Sequence, residues 1–168
     1  FSVPRENKSS DGTIRSSDGI FVTGGEVYVR TKDDTIPLNI SIRTMQNGTP
    51  TKTIVPFADV DIEPGDISVS EDGSIGTKFT FKSPVYLQSD YEYALVLYAP
   101  TDAYNVFITR MGEVDLLTKK LNDQQPTLGS LFKSQNASTW TPSQFEDLKF
   151  KLNKAKFVTS SSGSVLIQ

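Results

Sequence analysis

Three apolar runs with turns between them constrain the fold of this chain more than any other feature. The runs lie at 79–81, 91–99 and 104–111, and the turn-rich segments SPVYLQSD and APTDA separate them. Short apolar runs bounded by Pro, Ser and Asp are typical of strands that fold back on one another. This stretch therefore predicts the centre of an all-β domain.

The first part of the chain adds further strands and turns. Residues 38–43 alternate apolar and polar side chains, which predicts a half-buried strand, and the Asn-Gly pair at 47–48 predicts a tight turn behind it. Residues 1–3 fit a short edge strand. The Gly-Gly pair at 24–25 predicts a bend within one strand, with a turn between two short strands as the alternative.

Prolines limit one further strand. Pro56 and Pro64 interrupt residues 53–69. Because proline cannot donate a hydrogen bond to an interior ladder, we predict only a short strand at 58–62, followed by a loop.

The pattern weakens in the last third of the chain. Residues 112–129 predict a long connecting loop with one helical turn at 114–121, and 129–133 predicts a short strand. The sequence TPSQ at 141–144 fits a capped helical turn. Residues 145–155 fit both a helical stripe and an alternating strand, and we interpret them as a helical turn followed by a strand.

These elements predict an antiparallel two-sheet β-sandwich that is jelly-roll-like. About eight short strands with turns between them, and no long amphipathic helix, favour two packed sheets over an α/β fold. Residues 1–158 form a single domain in this interpretation, and 159–168 form a linker or the start of a following segment. The predicted core consists of Val27, Val29, Leu38, Ile40, Ile42, Phe79, Phe81, Leu95, Leu97, Val106, Ile108, Leu148 and Phe150.

Composition excludes several classes of function. The chain of 168 residues contains no Cys and no His, which removes thiol and Ser/His nucleophiles and the usual zinc sites. A net charge of -3 gives no general attraction to nucleic acid or anionic lipid, and no apolar run is long enough to span a membrane. We therefore predict no enzyme activity, no cofactor, and neither nucleic acid nor membrane as a partner.

Three pieces of the sequence, in order, carry a resemblance to a known class of domain. They are TKDDTIPLNISIRTMQNGTP, TKFTFKSPVYLQSDYEYALVLYAPTDAYNVFITRMGE and LGSLFKSQNASTWTPSQFEDLKFKLNKAKF. Together they resemble a β-sandwich domain of structural proteins in tailed bacteriophages, especially baseplate and tail proteins of contractile-tailed phages. More loosely, the order of motifs is similar to jelly-roll modules of bacterial surface proteins.

The resemblance implies a structural and interaction domain of the virion, in the tail or baseplate, that docks on neighbouring virion proteins. It implies assembly in the host cytoplasm and membership of a multi-subunit particle. The alternative function is a glycan-binding module that recognises a host or bacterial surface polysaccharide. The resemblance supplies no functional residues.

Trp140 is the first candidate ligand-binding residue, together with Asn136. It is the only tryptophan and lies in a polar loop with amide and hydroxyl neighbours. An aromatic face can stack on a sugar ring while nearby polar groups orient the sugar hydroxyls. The alternative is that Trp140 closes the end of the sandwich as a packing residue.

Tyr104 and Phe107 are the second candidate pair. Asn105 and Thr109 share the strand face of Phe107, which indicates an outer surface. Period-2 spacing makes packing the alternative role for these aromatic residues.

Asp59, Asp61 and Glu63 are weak candidates for a calcium site. They alternate with apolar residues, so one strand would project three carboxylates from the same face. The simpler interpretation is a solvated acidic face, and we therefore predict no metal site.

Overall fold

The described part of the chain consists almost wholly of strands. The computed structural model describes residues 1–8, 14–16, 18–110 and 130–157. The strands in these ranges are β1 (Glu6–Lys8), β2 (Ile14–Ser16), β3 (Gly19–Val27), β4 (Val29–Thr31), β5 (Leu38–Gln46), β6 (Thr49–Ile62), β7 (Thr77–Gln88), β8 (Tyr93–Tyr98), β9 (Asn105–Val106), β10 (Ile108–Arg110), β11 (Leu131–Lys133), β12 (Thr141–Ser143), β13 (Glu146–Leu148) and β14 (Phe150–Lys154). One short 3-10 turn spans Pro64–Asp66. The predicted all-β fold class is confirmed.

Two three-stranded antiparallel sheets form the body of the domain. Sheet one has the order β14-β3-β7, and sheet two has the order β6-β5-β8. Their inward side chains meet in one apolar cluster, with Val22, Val27, Phe79 and Val85 from sheet one and Ile40 from sheet two among its most buried members. The arrangement is therefore sandwich-like, while the jelly-roll order of strands stays a prediction.

Sheet one depends on glycine at the predicted bend. β3 continues through Gly24 and Gly25, and its pairing with β7 shifts register between Val22 and Gly24. A Cβ atom on Gly24 would lie 2.1 Å from the Phe79 carbonyl oxygen, and one on Gly25 would lie 2.1 Å from that of Lys151. The neighbouring backbones approach too closely for any side chain, so the predicted bend within one strand is confirmed.

Sheet two contains the predicted hairpin. Asn47 and Gly48 have φ angles of 50° and 74°, which are the left-handed values that a two-residue turn between twisted strands requires. They join β5 to β6, and Leu38, Ile40 and Ile42 of β5 are buried as predicted.

The strand predicted at 58–62 is present and ends at Ile62, but its predicted start was wrong, because β6 is continuous over Thr49–Ile62. Pro56 is tolerated because β6 is an edge strand and because its pairing with β5 is irregular there. Phe57, the next residue, has a φ of 67°. Proline lacks a backbone N–H group. At an irregular position of an edge strand, that missing donor leaves no carbonyl group of an interior strand without its hydrogen bond.

Shorter strands form separate two-stranded pairs. β4 pairs with β9, β10 with β13, and β11 with β12. The predicted helical turn at 141–144 is wrong, because Thr141–Ser143 forms β12 and pairs with β11. The helical turn predicted at the start of 145–155 is also wrong, because Glu146–Leu148 forms β13. The strand predicted after it is confirmed as β14, and the strand predicted at 129–133 is confirmed over Leu131–Lys133.

The predicted core is confirmed with two qualifications. Ile108 is exposed, because β10 lies outside both main sheets and pairs only with β13. Leu148 is half-buried and lines a cavity instead of joining the inter-sheet cluster. The predicted edge strand at 1–3 is present as a bridge between Ser2 and Glu92. Predictions for 112–129 and 159–168 fall outside the described residues.

Candidate functional site

A cavity of about 520 Å³ lies where β8 meets the segment 130–150. Leu95 packs against the core, whereas the buried Val96 lies on the opposite side of β8. On the outer side of sheet two, Arg43 donates a hydrogen bond to the Ala137 carbonyl at 3.4 Å. The loop that carries Trp140 therefore lies over the outer side of sheet two.

Apolar and aromatic side chains form most of the cavity wall, and a few polar ones accompany them. Met45, Phe132 and Trp140 are among the apolar lining residues, and Gln144 and Asp147 are among the polar ones. A concave, largely apolar wall with a few polar groups is the usual form of a small-ligand site.

Trp140 is half-buried at this cavity wall. Part of the indole is covered by neighbours and part remains accessible from the cavity. Its position therefore combines the two interpretations made from the sequence, since it packs and can still contact a ligand.

Asn136 does not line the cavity. Its side chain instead stabilises the turn of its own loop through hydrogen bonds. Its side-chain oxygen accepts hydrogen bonds from the backbone N–H groups of Ser138 at 3.0 Å and Thr139 at 2.8 Å, and from the Ser134 hydroxyl at 3.1 Å. The amide oxygen holds the turn of the loop and so supports the segment that leads to Trp140.

Phe107 lies at a different place, a shallow depression that also involves Arg30 and Glu71. Its backbone N–H donates to the Tyr28 carbonyl, and its carbonyl accepts from the Lys149 N–H, both at 3.0 Å. These hydrogen bonds make Phe107 a junction between three segments of chain.

Tyr104 is a packing residue with one strong hydrogen bond. Its ring packs against the core, and its hydroxyl donates to the Ile36 carbonyl at 2.5 Å. Burial, with the nearby charge of Asp33, raises the pKa of the Tyr104 hydroxyl above its usual value. The four predicted ligand residues therefore do not converge on one site.

Two of the three weak calcium candidates, Asp59 and Asp61, are held by an amide, and Glu63 is exposed beyond the end of β6. The Asn39 side-chain NH₂ donates to Asp59 and to Asp61, each at 2.8 Å, which satisfies one oxygen of both carboxylates. Over residues 1–8, 14–16, 18–110 and 130–157, no group of three or more acidic side chains is placed to hold a metal ion.

Asp147 is a cavity residue that the sequence analysis did not single out. Burial raises the pKa of its carboxyl group above the usual value, and a backbone hydrogen bond at Leu148 acts in the opposite direction. A carboxyl group in such surroundings is a recognised feature of ligand sites. Within the motif FEDLKF its spacing fits an ordinary strand, so only the tertiary packing distinguishes it.

An ion cluster around the buried Glu146 carboxylate lies next to the cavity. The Glu146 side chain is 7% exposed and binds Lys133 at 2.6 Å and Arg110 at 2.5 Å. Hydrogen bonds from Lys133 and Arg110 lower the pKa of Glu146 to about 2. The carboxylate thereby ties β10, β11 and β13 together, and the sequence analysis missed it because the three partners are distant in the chain.

Three aromatic rings form an exposed cluster on the outer side of sheet one. The Phe21 ring lies 5.1 Å from the Tyr86 ring and 5.2 Å from the Phe157 ring, measured between centroids. Their exposed fractions are 38%, 45% and 61% for Phe21, Tyr86 and Phe157. Contiguous exposed aromatic area of this kind is typical of interaction surfaces.

Comparisons of the chain with known protein families, with curated proteins and with solved structures found no match. In the part of the chain that the structure describes, no helix is long and apolar enough to cross a membrane.

Proposed function

We propose that this chain is a non-enzymatic structural and interaction domain of a bacteriophage virion protein, in the tail or baseplate, where it docks on neighbouring virion proteins. The observation that carries the docking role is the exposed ring cluster of Phe21, Tyr86 and Phe157 on the outer side of sheet one. The resemblance of the three sequence pieces supplies the virion setting.

The rigidity of the surface supports a docking role. Phe21 and Tyr86 are direct cross-strand partners in the β3–β7 ladder, so the sheet backbone fixes the position of both rings. The Tyr86 hydroxyl also donates to the Asp18 carbonyl at 3.0 Å. Binding to preordered side chains loses less conformational entropy than binding to mobile ones.

The test is the protein content of purified phage particles. The proposal expects peptides of this chain, by mass spectrometry, in isolated tails or baseplates at a fixed ratio to the other virion proteins. Absence of these peptides from complete particles would contradict the virion assignment.

The docking surface is tested separately by substitution. Tyr86→Ser should reduce incorporation into particles, because it removes one ring of the cluster. Tyr91→Ser is the matched control, since Tyr91 is also an exposed tyrosine but has no place in the cluster. Equal incorporation of both variants would count against this surface.

A glycan-binding module is the second candidate function, and the cavity beside Trp140 favours it. The half-buried indole offers an aromatic face, and Gln144 and Asp147 offer polar groups in the same wall. Calorimetric titration with bacterial surface polysaccharides should then give heat with wild type and with Tyr91→Ala, and none with Trp140→Ala. No heat with folded wild type would remove this candidate.

The same titration also tests the non-enzymatic part of the proposal. Glu92 and Asp147 both line the cavity, and carboxylate pairs are the groups that cleave glycosidic bonds. Release of reducing sugar ends from a bound polysaccharide, lost in Asp147→Asn, would show the chain to be an enzyme.

A further inference from the structure

The two main sheets present outer faces of opposite charge. We define the basic face as the outer side of sheet one with Lys78, Lys82 and Lys151 and the ring cluster of Phe21, Tyr86 and Phe157. We define the acidic face as the end of the outer side of sheet two that carries Asp59, Asp61, Asn39 and Tyr98. The loop that carries Trp140 lies over the other end, at Arg43.

The register of sheet one brings the lysines of the basic face together. Lys151 and Lys78 are the cross-strand neighbours of Glu26 on its two sides, and the Lys151 ammonium lies 3.2 Å from the Glu26 carboxylate. Lys78 and Lys82 alternate with buried residues along β7, so both point outward. Three lysines against one glutamate give this face a net charge of +2 in a chain of net charge -3.

The register of sheet two assembles the acidic face in the same way. Asp61, Asn39 and Tyr98 form one row across β6, β5 and β8, and Asp59 lies in the next row beside Ser41. Both carboxylates and the Tyr98 ring are exposed. Arg43 lies on the same side of sheet two and donates to the Ala137 carbonyl and to the hydroxyl of Ser41, the cross-strand partner of Asp59. Its charge offsets one carboxylate, so the acidic face and Arg43 together carry a net charge of -1.

We infer that the basic face of one copy of this chain binds the acidic face of a second copy. The lysine ammonium groups on flexible stems reach the two fixed carboxylates, and the exposed rings of both faces are covered together. Complementary charge selects this pairing over basic-to-basic or acidic-to-acidic contact, since like charges brought together in an interface repel.

The contact is head-to-tail, because the two faces differ. The sheets pack through their inner sides, so the two outer faces point away from each other and one copy can bind two neighbours at once. Such heterologous contacts produce rings where the rotation closes and open rows where it does not.

This inference deepens the proposed docking role by naming the partner, and it rests on the proposed function only for its setting in a virion. The experiment uses purified protein without any phage particle. Failure of self-association therefore leaves the particle test unaffected, and failure of the particle test leaves self-association unaffected.

The experiment is sedimentation velocity of wild type, Lys82→Glu and Asp61→Lys over a range of protein concentrations. Wild type should form species larger than the monomer, and roughly 0.5 M salt should weaken them because it screens exposed charges. Each variant alone should associate at least about tenfold more weakly, since one of its two faces then carries the wrong charge. An equimolar mixture of the two variants should associate again, because it contains one intact basic face and one intact acidic face.

Glu71→Lys is the charge-reversal control, because Glu71 is almost fully exposed and belongs to no strand of either main sheet. It should associate as wild type does. Lys82→Gln repeats the test with a milder change, and thermal unfolding confirms that every variant is folded. A monomeric wild type at all concentrations would overturn the inference, as would equal association of Glu71→Lys, Lys82→Glu and Asp61→Lys.

Discussion

The two main sheets pack on one shared core, but different residue types stabilise each sheet. The chemistry of their outer faces differs more than that of their inner faces. Sheet one brings its backbones together at Gly24 and Gly25, where no side chain fits. Sheet two uses aliphatic residues such as Ile40 and a hairpin turn at Asn47 and Gly48. The inner sides of both sheets are apolar because each must exclude water from the same core.

The outer sides have no such common requirement. One carries lysines and aromatic rings, and the other carries aspartates held by an amide. Because side chains alternate between the two sides of a strand, outward positions can change chemistry without disturbing the core. The specific properties of this domain therefore lie on its outer faces and in the cavity beside β8.

The largest expected effect comes from breaking sheet one at its glycine bend. Gly24→Ala places a Cβ atom 2.1 Å from the Phe79 carbonyl oxygen, so the strands must separate. We expect a loss of about 3 kcal/mol in the free energy of unfolding, measured by denaturant titration. Gly65→Ala is the control, because a Cβ atom there meets nothing within 4 Å. Similar stabilities for the two variants would contradict the close approach.

The ion cluster at Glu146 lies outside both main sheets. Its removal should change the stability in a way that depends on pH. The carboxylate is held ionised, with its pKa lowered from 4.5 to about 2, so it stabilises the fold above pH 4.5 and loses this effect as the pH falls towards 2. Glu146→Gln should therefore lower the unfolding temperature at neutral pH, and the gap from wild type should shrink on acidification.

Glu71→Gln is the control for that experiment, because Glu71 is almost fully exposed and its ion pair with Arg30 is 3.7 Å long. Exposed pairs contribute little to stability. A gap between Glu146→Gln and wild type that stays constant from neutral to acid pH would contradict the ion cluster.

The hairpin turn of sheet two should be less sensitive than the bend of sheet one. Gly48 has a φ of 74° but open space around it, so alanine there costs only the strain of a left-handed backbone. We expect Gly48→Ala to lower the free energy of unfolding by about 1 kcal/mol, measured by the same denaturant titration. If Gly48→Ala lowered the free energy of unfolding as much as Gly24→Ala does, the hairpin turn would be as sensitive to a side chain as the glycine bend, which would contradict this prediction.

Outer-face substitutions should have the smallest effect on stability. Lys78→Gln on sheet one and Tyr98→Ser on sheet two should each change the free energy of unfolding by less than about 0.5 kcal/mol, because neither contributes to the core. Both should still weaken self-association in sedimentation. A large loss of stability would mean that these side chains serve the fold and not docking.

Local sequence signals identified the elements whose structure is decided locally. Alternation at 38–43, the Asn-Gly turn and the Gly-Gly bend were predicted, because each depends on backbone conformations that particular residue types allow. The errors arose where tertiary pairing decided the outcome. TPSQ at 141–144 has helix-capping residues, yet pairing with β11 makes it a strand, and the irregular edge of β6 accommodates Pro56.

The candidate sites were predicted less completely than the fold. Trp140 was identified from its polar loop, whereas Asp147 and the Glu146 cluster were not, because their partners come from distant segments. The two charged faces depend on strand register, which places Lys78 and Lys151 on either side of Glu26 across more than 70 residues of chain. Sequence spacing alone does not specify such a register.

The most direct test of head-to-tail docking is zero-length chemical cross-linking between lysine and carboxylate groups in a mixture of isotopically light and heavy protein. Head-to-tail docking predicts mixed-isotope cross-links, and so links between copies, that join peptides with Lys78 or Lys82 to the peptide with Asp59 and Asp61. High salt should reduce them, because screening weakens the attraction between the faces. Cross-links between copies that avoid these peptides, or none at all at associating concentrations, would contradict head-to-tail docking.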